Sequence, residues 1–218
     1  MDKIPGVVII RNILTEEEQL KLIDIVKRKG SLKDDEGNWN FFGIRGRCFY
    51  NINDYPIHDI EFLKFCSNKF KTEAEEMDET LIWSDFTHLL SLWYPNNKGM
   101  KWHKDGYGGN DGDEGAPVYS LTLGNSCIFE YKLEGGNKIS VQLDSGDLIV
   151  FGGPQRLMYH SVKSVIKGSF KLLTDFDARI NLTFRTCSDL TDERMNEYTT
   201  EVYTKNLLEN WNKNKTLT

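Results

Sequence analysis

The stretch from Ala178 to Thr186, ARINLTFRT, alternates without a break. Successive side chains of an extended chain point to opposite sides. Ile180, Leu182 and Phe184 therefore fall on one face, and Arg179, Asn181, Thr183 and Arg185 on the other. A second layer has to cover the apolar face. The stretch is thus a strand of layered β structure that gathers two guanidinium groups and an amide on its opposite side.

Working outward, short β-like runs precede it at regular spacing: Val118 to Leu123, Cys127 to Leu133, Ile139 to Leu143, Leu148 to Phe151 and His160 to Val165. Turn material separates them, including Gly124-Asn125, Gly135-Gly136-Asn137, Ser145-Gly146 and Gly152-Gly153-Pro154. Leu81 to Tyr94 reads as a strand pair or one long strand. Nearer the N-terminus, Gly6 to Asn12 reads as a strand and Ser31 to Asn38 as a loop. Trp39 to Ile52 has aromatic, strand-like composition. Two helices are expected here. Thr15 and Glu18 have capping-box spacing ahead of Leu22, Ile23 and Val26, with Gly30 as the stop. Pro56 opens the second, with Ile60, Leu63, Cys66 and Phe70 on one face. The pattern predicts a mainly β protein, a sandwich or barrel with flanking N-terminal helices packed on one sheet. No repeat or linker divides it, so one domain is expected over 1–218: helices and a connecting segment at 1–80, a β core at 81–188, and a charged tail at 189–218, helical through Leu207.

Composition narrows the function. The 218 residues are 39% hydrophobic and 12% aromatic, enough for a sizeable core. A net charge of -6 argues against broad adhesion to nucleic acid or anionic lipid, while leaving room for a local basic groove. The four cysteines, Cys48, Cys66, Cys127 and Cys187, form no CxxC pair and read as reduced thiols. MDKIPGVVIIRN holds an apolar run too short for a signal peptide, and no stretch has the length of a membrane span. An intracellular protein, in cytoplasm or nucleus, is expected.

Chemistry concentrates in KWHKDGYGGNDGDEG, Lys101 to Gly115. An EF-hand loop starting at Asp105 would need Gly and Glu where Asn110 and Ala116 stand, and GGNDGD occurs once, so calcium is disfavoured. On an extended strand His103 and Asp105 share a face, and His160, in RLMYHSV, can supply a third ligand. Two histidines and a carboxylate make the facial triad of non-haem Fe(II) oxygenases, with open coordination positions. The alternative is that these are unrelated surface or core residues. The face carrying Arg179, Asn181 and Arg185 suits a small dicarboxylate, because Arg binds carboxylate with a planar fork. A merely solvated polar face is the alternative there.

The succession WHKD, SGDLIVFGGPQRLMYHSV and RINLTFR resembles the AlkB-like branch of the Fe(II)/2-oxoglutarate-dependent dioxygenases, closely over Leu90 to Arg185 and more loosely at PGVVIIRNILTEEEQ. The resemblance implies a double-stranded β-helix, or jelly-roll, with iron at one open end. It implies His103, Asp105 and His160 as catalytic iron ligands, with Fe(II), 2-oxoglutarate and O₂ as cofactors. Arg179, helped by Asn181 and Tyr94, would hold the distal carboxylate of 2-oxoglutarate, with Arg185 near the iron-side one. Leu92 stands where the family often has a contacting Asn. Tyr107 stands where several bacterial members have an acidic base contact.

The resemblance also implies a reaction: oxidative demethylation of N-alkylated bases in DNA or RNA, with release of formaldehyde and succinate. The partner would be methylated nucleic acid presenting a single-stranded or flipped base. Family members carry a recognition lid where this chain has Lys33 to Ile52, making Trp39, Arg45, Arg47 and Tyr50 substrate candidates beside Tyr107; Lys98, Lys101 and Lys104 could meet phosphates. Two alternatives stay open. One is a same-fold oxygenase acting on a protein or small molecule, and the other is a catalytically silent nucleic-acid-binding module.

Overall fold

The computed structural model describes residues 4–33, 39–41, 47–81, 85–94, 98–105, 116–133, 136–174 and 176–186, of which 30–33, 39–41, 47–50 and 98 by backbone alone. Among the described residues twelve strands and two α-helices run in the order β1 (Val7–Ile10), α1 (Glu16–Gly30), β2 (Ser31–Lys33), β3 (Trp39–Phe41), β4 (Arg47–Asn51), α2 (Ile57–Met77), β5 (His88–Tyr94), β6 (Lys98–His103), β7 (Val118–Gly124), β8 (Cys127–Lys132), β9 (Lys138–Leu143), β10 (Leu148–Phe151), β11 (Tyr159–Val165) and β12 (Arg179–Arg185). Short 3₁₀ turns lie at Ile52–Asp54 and Gly153–Gln155.

The helices start where their caps dictate. The backbone N–H of Glu18 donates to Thr15 Oγ1 at 3.2 Å, and that of Thr15 donates to Glu18 Oε2 at 2.8 Å, a reciprocal capping box. The pKa of Glu18 lies below its ordinary value, because these bonds and Lys69 outweigh the opposing effect of burial. Helix α2 follows Pro56 and buries Leu63, Cys66 and Phe70. Arg28 joins the two helices through a two-pronged bond to the buried Asp59, both contacts at 3.0 Å.

A six-stranded sheet has the order β1-β10-β7-β12-β5-β4, and a four-stranded sheet β6-β11-β8-β9. Every pair is antiparallel. β12 lies between β7 and β5, so ARINLTFRT is a central strand with both faces covered. Ile180, Leu182 and Phe184 pack with Leu22, Leu63 and Phe70 of the helices in one core. A second core, with Val118, Phe129, Phe151 and Val162, fills the space between the sheets. The fold class expected from the sequence is the one observed: mainly β, jelly-roll, with N-terminal helices on one sheet.

Local readings needed correction in places. Residues 31–33, expected as loop, pair with β3 in a two-stranded sheet. The aromatic run 39–52 holds two strands in different sheets, because β4 pairs with β5 and β3 does not. Of the strand or strand pair expected over Leu81 to Tyr94, the described strand is His88–Tyr94, and residues 82–84 lie outside the described residues. β6 is a strand that composition concealed, since KGMKWH has no β-branched residue and alternates only from Met100 to His103. The expected C-terminal helix lies outside the described residues. Among those residues no helix is long and apolar enough to cross a membrane. Cys66 and Cys127 are buried free thiols, and burial pushes the Cys66 pKa up to about 12.

Candidate metal centre

His103 ends β6 and His160 lies at the start of β11, directly opposite it in the antiparallel ladder. The rings sit 4.3 Å apart, centroid to centroid. Asp105, two residues past His103, brings Oδ1 to 3.6 Å from His103 Nε2 and 3.8 Å from His160 Nε2. One ligand atom from each of the three falls within 4.8 Å of the others, so the trio can converge on one cation. A register shift between His160 and Val162 accompanies this approach. Irregularities of that kind commonly re-aim side chains beside functional sites.

Each imidazole is oriented by its own strand. His103 Nδ1 lies 2.8 Å from the Lys101 carbonyl and His160 Nδ1 3.0 Å from the Met158 carbonyl. Only a protonated Nδ1 can bond a carbonyl, which leaves Nε2 of each neutral ring with its lone pair toward Asp105. Phe129 and Phe151 pack against the His160 ring. Burial lowers the His160 pKa despite the Asp105 carboxylate, favouring the neutral form a metal needs. For His103 burial acts the same way, but Asp105 and the Lys101 carbonyl outweigh it and the pKa is raised.

Arg185 fixes the carboxylate. Its Nη2 donates to Asp105 Oδ2 at 2.6 Å, which leaves Oδ1 for the histidines. Burial would raise the Asp105 pKa, yet Arg185 and the two imidazoles hold it far below the usual carboxylate range. Arg185 was expected near the iron-side carboxylate of 2-oxoglutarate, and its contact with Asp105 sets it beside the metal ligands, which is compatible with that place.

Deeper between the sheets lies Arg179, 1% exposed. Its Nη2 donates to Thr122 Oγ1 at 3.0 Å, and its guanidinium carbon stands 5.1 Å from the centre of the Tyr94 ring, its ladder partner. Nε and Nη1 are buried and make no hydrogen bond among the described residues. A buried charge with two unused donors is costly unless something else satisfies it. A carboxylate accepts strongly from guanidinium N–H groups, and Nη1 has such N–H groups to offer. Asn181 donates from Nδ2 to Ser120 Oγ at 2.7 Å and to the Leu121 carbonyl at 3.2 Å, which fixes its amide on the same strand face. Leu92 is half-buried and packs with the inter-sheet core.

Two partners escaped the sequence reading. Thr122 gives no local signal, being one of two small polar residues in VYSLTLG. Arg156 was visible in GGPQR, but nothing local revealed its task. It donates from Nη1 to the Asp105 carbonyl at 2.6 Å and from Nε to the Ala116 carbonyl at 2.7 Å, joining both ends of the glycine-rich segment. Of the substrate candidates, Trp39 is on β3, and Arg47 and Tyr50 are on β4 opposite Leu92 and Leu89. Arg45 and Tyr107 lie outside the described residues.

Comparison with known proteins accords with this geometry. The 2OG-Fe(II) oxygenase superfamily model matches residues 47–185. Over 102 residues the chain is 36% identical to the alpha-ketoglutarate-dependent dioxygenase AlkB of Escherichia coli K12, covering 44% of this chain and 43% of that protein. Over 78 residues it is 40% identical to the DNA N(6)-methyladenine demethylase ALKBH1D of Arabidopsis thaliana, 33% of this chain and 18% of that protein. These matches thus span less than half the length of either relative. Among solved structures, OsALKBH1 superposes with a TM-score of 0.65 at 19% identity, covering 84% of this chain and 99% of that one. A prolyl-4-hydroxylase of Pseudomonas putida superposes with a TM-score of 0.53 at 17% identity, covering 84% and 94%. This family works with Fe(II), 2-oxoglutarate and O₂, and the His-Asp-His donor set with its buried Arg fits all three. The chain belongs to the 2OG-Fe(II) oxygenase superfamily, within its AlkB-like branch.

Proposed function

We propose that this chain, acting as one domain, oxidatively removes N-linked methyl groups from nucleobases in single-stranded or flipped-out DNA or RNA. The observation that carries the reading is a facial set of donors, His103, Asp105 and His160, beside a buried Arg179 with two unused guanidinium nitrogens. The AlkB and N(6)-methyladenine demethylase relatives direct it to nucleic acid.

When bound, Fe(II), 2-oxoglutarate and O₂ supply hydroxylation of a C–H bond coupled to loss of CO₂ and formation of succinate. His103, Asp105 and His160 would hold the metal on one side, leaving the opposite side open to cosubstrate and oxygen. Arg179 would take the distal carboxylate, positioned by Thr122 and by the face of Tyr94, with Asn181 lining the approach. Arg185 keeps Asp105 ionised and turned toward the histidines. Phe129 and Phe151 exclude water from behind His160. A methyl carbon on a base nitrogen, once hydroxylated, splits to formaldehyde and the free base without further help from the protein.

Mass spectrometry tests this. Oligonucleotides carrying 1-methyladenine, 3-methylcytosine or 6-methyladenine, as DNA and as RNA, are incubated with Fe(II), 2-oxoglutarate and O₂. Loss of one methyl from at least one of them is expected, abolished by His103→Ala or Asp105→Ala. Succinate release without loss of any methyl would reject the nucleic-acid substrate and leave an oxygenase of other specificity.

A further inference from the structure

Behind the metal centre, the outer side of the four-stranded sheet carries a feature that the reaction does not use. Trp102 and Tyr159 precede the two histidine ligands in the chain and stack on each other, with ring centroids 6.1 Å apart and planes within 12° of parallel. Two exposed lysines attend them. Lys132 Nζ lies 5.0 Å from the Trp102 ring centre, and Lys104 Nζ lies 5.9 Å from that of Tyr159. Lys132 is the ladder partner of Tyr159 on β8, so the group is built across three neighbouring strands, β6, β11 and β8. Tyr159 stays 43% exposed and Leu157 beside it 58%. Both border an open hollow of about 590 Å³, which Lys104, Lys132, Gln155 and Arg156 also line. Glu130 of the same sheet is neutralised by Lys138 at 2.9 Å, so it does not offset the two lysines.

A fold needs none of this. Large exposed aromatics are costly to leave in water, and a tyrosine braced by a second ring is a rigid platform. Aromatic faces flanked by cations are the elements with which proteins hold single strands irrespective of sequence: bases stack on the rings and lysines meet the phosphates. The contrast with a net charge of -6 marks the patch as local. Lys104 also stands between His103 and Asp105 in the chain, so a strand lying here runs close beside the metal ligands.

We infer that the face formed by Tyr159, Trp102, Lys104 and Lys132 binds the single-stranded nucleic acid flanking the reactive base, with one base stacked on Tyr159 and phosphates at the two lysines. This rests on the nucleic-acid reading above and adds a second contact region outside the metal centre. A longer strand offers this face more nucleotides than a short one does.

The test is fluorescence anisotropy with a labelled, unmethylated 15-nucleotide single strand at several salt concentrations, paired with turnover of a methylated trinucleotide and of a methylated 15-mer. Tyr159→Ala should weaken strand binding about tenfold, with Tyr159→Phe restoring it, because stacking needs only the ring. Lys104→Gln with Lys132→Gln should flatten the dependence of log affinity on log salt by about 1.4, at about 0.7 per phosphate contact on a single strand. Both variants should raise KM for the 15-mer while Lys132→Gln alone leaves trinucleotide turnover unaltered. Unchanged affinity and salt slope in all variants would overturn the inference, and would leave the demethylase reading standing if the trinucleotide is still demethylated. Loss of binding to phosphatidylserine vesicles with strand affinity intact would also overturn it, marking a membrane face. A wild type that binds the strand through these residues yet removes no methyl keeps this surface and rejects the demethylase.

Discussion

Replacing Arg179 by methionine tests its assignment to the distal carboxylate of 2-oxoglutarate. The side chain is 1% exposed, and its neighbours include a hydroxyl bonded at 3.0 Å, an aromatic face at 5.1 Å and the Cys127 thiol. Two of its nitrogens, Nε and Nη1, make no hydrogen bond among the described residues. Truncating one side of a buried, hydrogen-bonded charge pair costs about 2–5 kcal/mol, so 2-oxoglutarate affinity should fall at least ~30-fold. Thermal stability reports this directly. With Mn(II) in place of Fe(II) and cosubstrate at ~100 times the wild-type Kd, ligand binding stabilises the wild type by about 2.7 kcal/mol. A ~30-fold weaker variant gains about 0.9 kcal/mol at the same concentration. At roughly 2–4 °C per kcal/mol for a chain of this size, the ligand-induced rise in Tm shrinks from about 5–11 °C to about 2–4 °C. The control is 2-oxobutyrate, which chelates the metal alike but lacks the distal carboxylate; its affinity should not change. The two proteins and two ligands form a cycle that isolates the Arg–carboxylate term. Equal losses for both ligands, or an undiminished shift with 2-oxoglutarate, would refute the assignment of Arg179.

Other consequences follow from single contacts. Arg185→Met removes the partner of Asp105 Oδ2, and metal affinity should fall about 10–100-fold, read by Mn(II) titration with electron paramagnetic resonance. Gly99→Ala would place a Cβ 1.7 Å from the Val162 carbonyl, so β6 must separate from β11. A loss of roughly 2–4 kcal/mol in denaturant unfolding is expected, with weakened metal binding because His103 ends the displaced strand. Glu18→Ala removes half of the α1 capping box and should cost about 1 kcal/mol at neutral pH. The Glu18 pKa is lowered in the folded chain, so its stabilisation is full above the unfolded value and is lost as pH falls through the folded one. Unfolding midpoints of wild type and variant should therefore begin to converge as pH falls below the unfolded value of about 4.3.

The patterns legible in the chain were those carried by neighbours in sequence. Alternation in ARINLTFRT sorted Arg179, Asn181 and Arg185 from Ile180, Leu182 and Phe184, and the structure buries all but the half-buried Asn181, with the apolar set in the core against the helices. The capping pair Thr15 and Glu18 and the start at Pro56 are local hydrogen-bonding and backbone constraints, so both helices could be placed. His103, Asp105 and His160 were named together because the residue types suit one metal and because their succession resembles a family.

Tertiary structure decided what depends on partners far along the chain. Strand β6 exists because β11 pairs with it; KGMKWH alternates only from Met100 to His103 and has no β-branched residue. The division of 39–52 between two sheets is likewise a matter of which strand lies alongside. Arg185 found Asp105, 80 positions away in the chain, and Arg179 found Thr122 across the β12–β7 ladder. Arg156 reached two backbone carbonyls that no residue type advertises. Side-chain identity tells which face is apolar and which groups can ligate. It cannot tell which carbonyl, hydroxyl or carboxylate will stand opposite, since that is set by strand register, and register is a property of the assembled sheets.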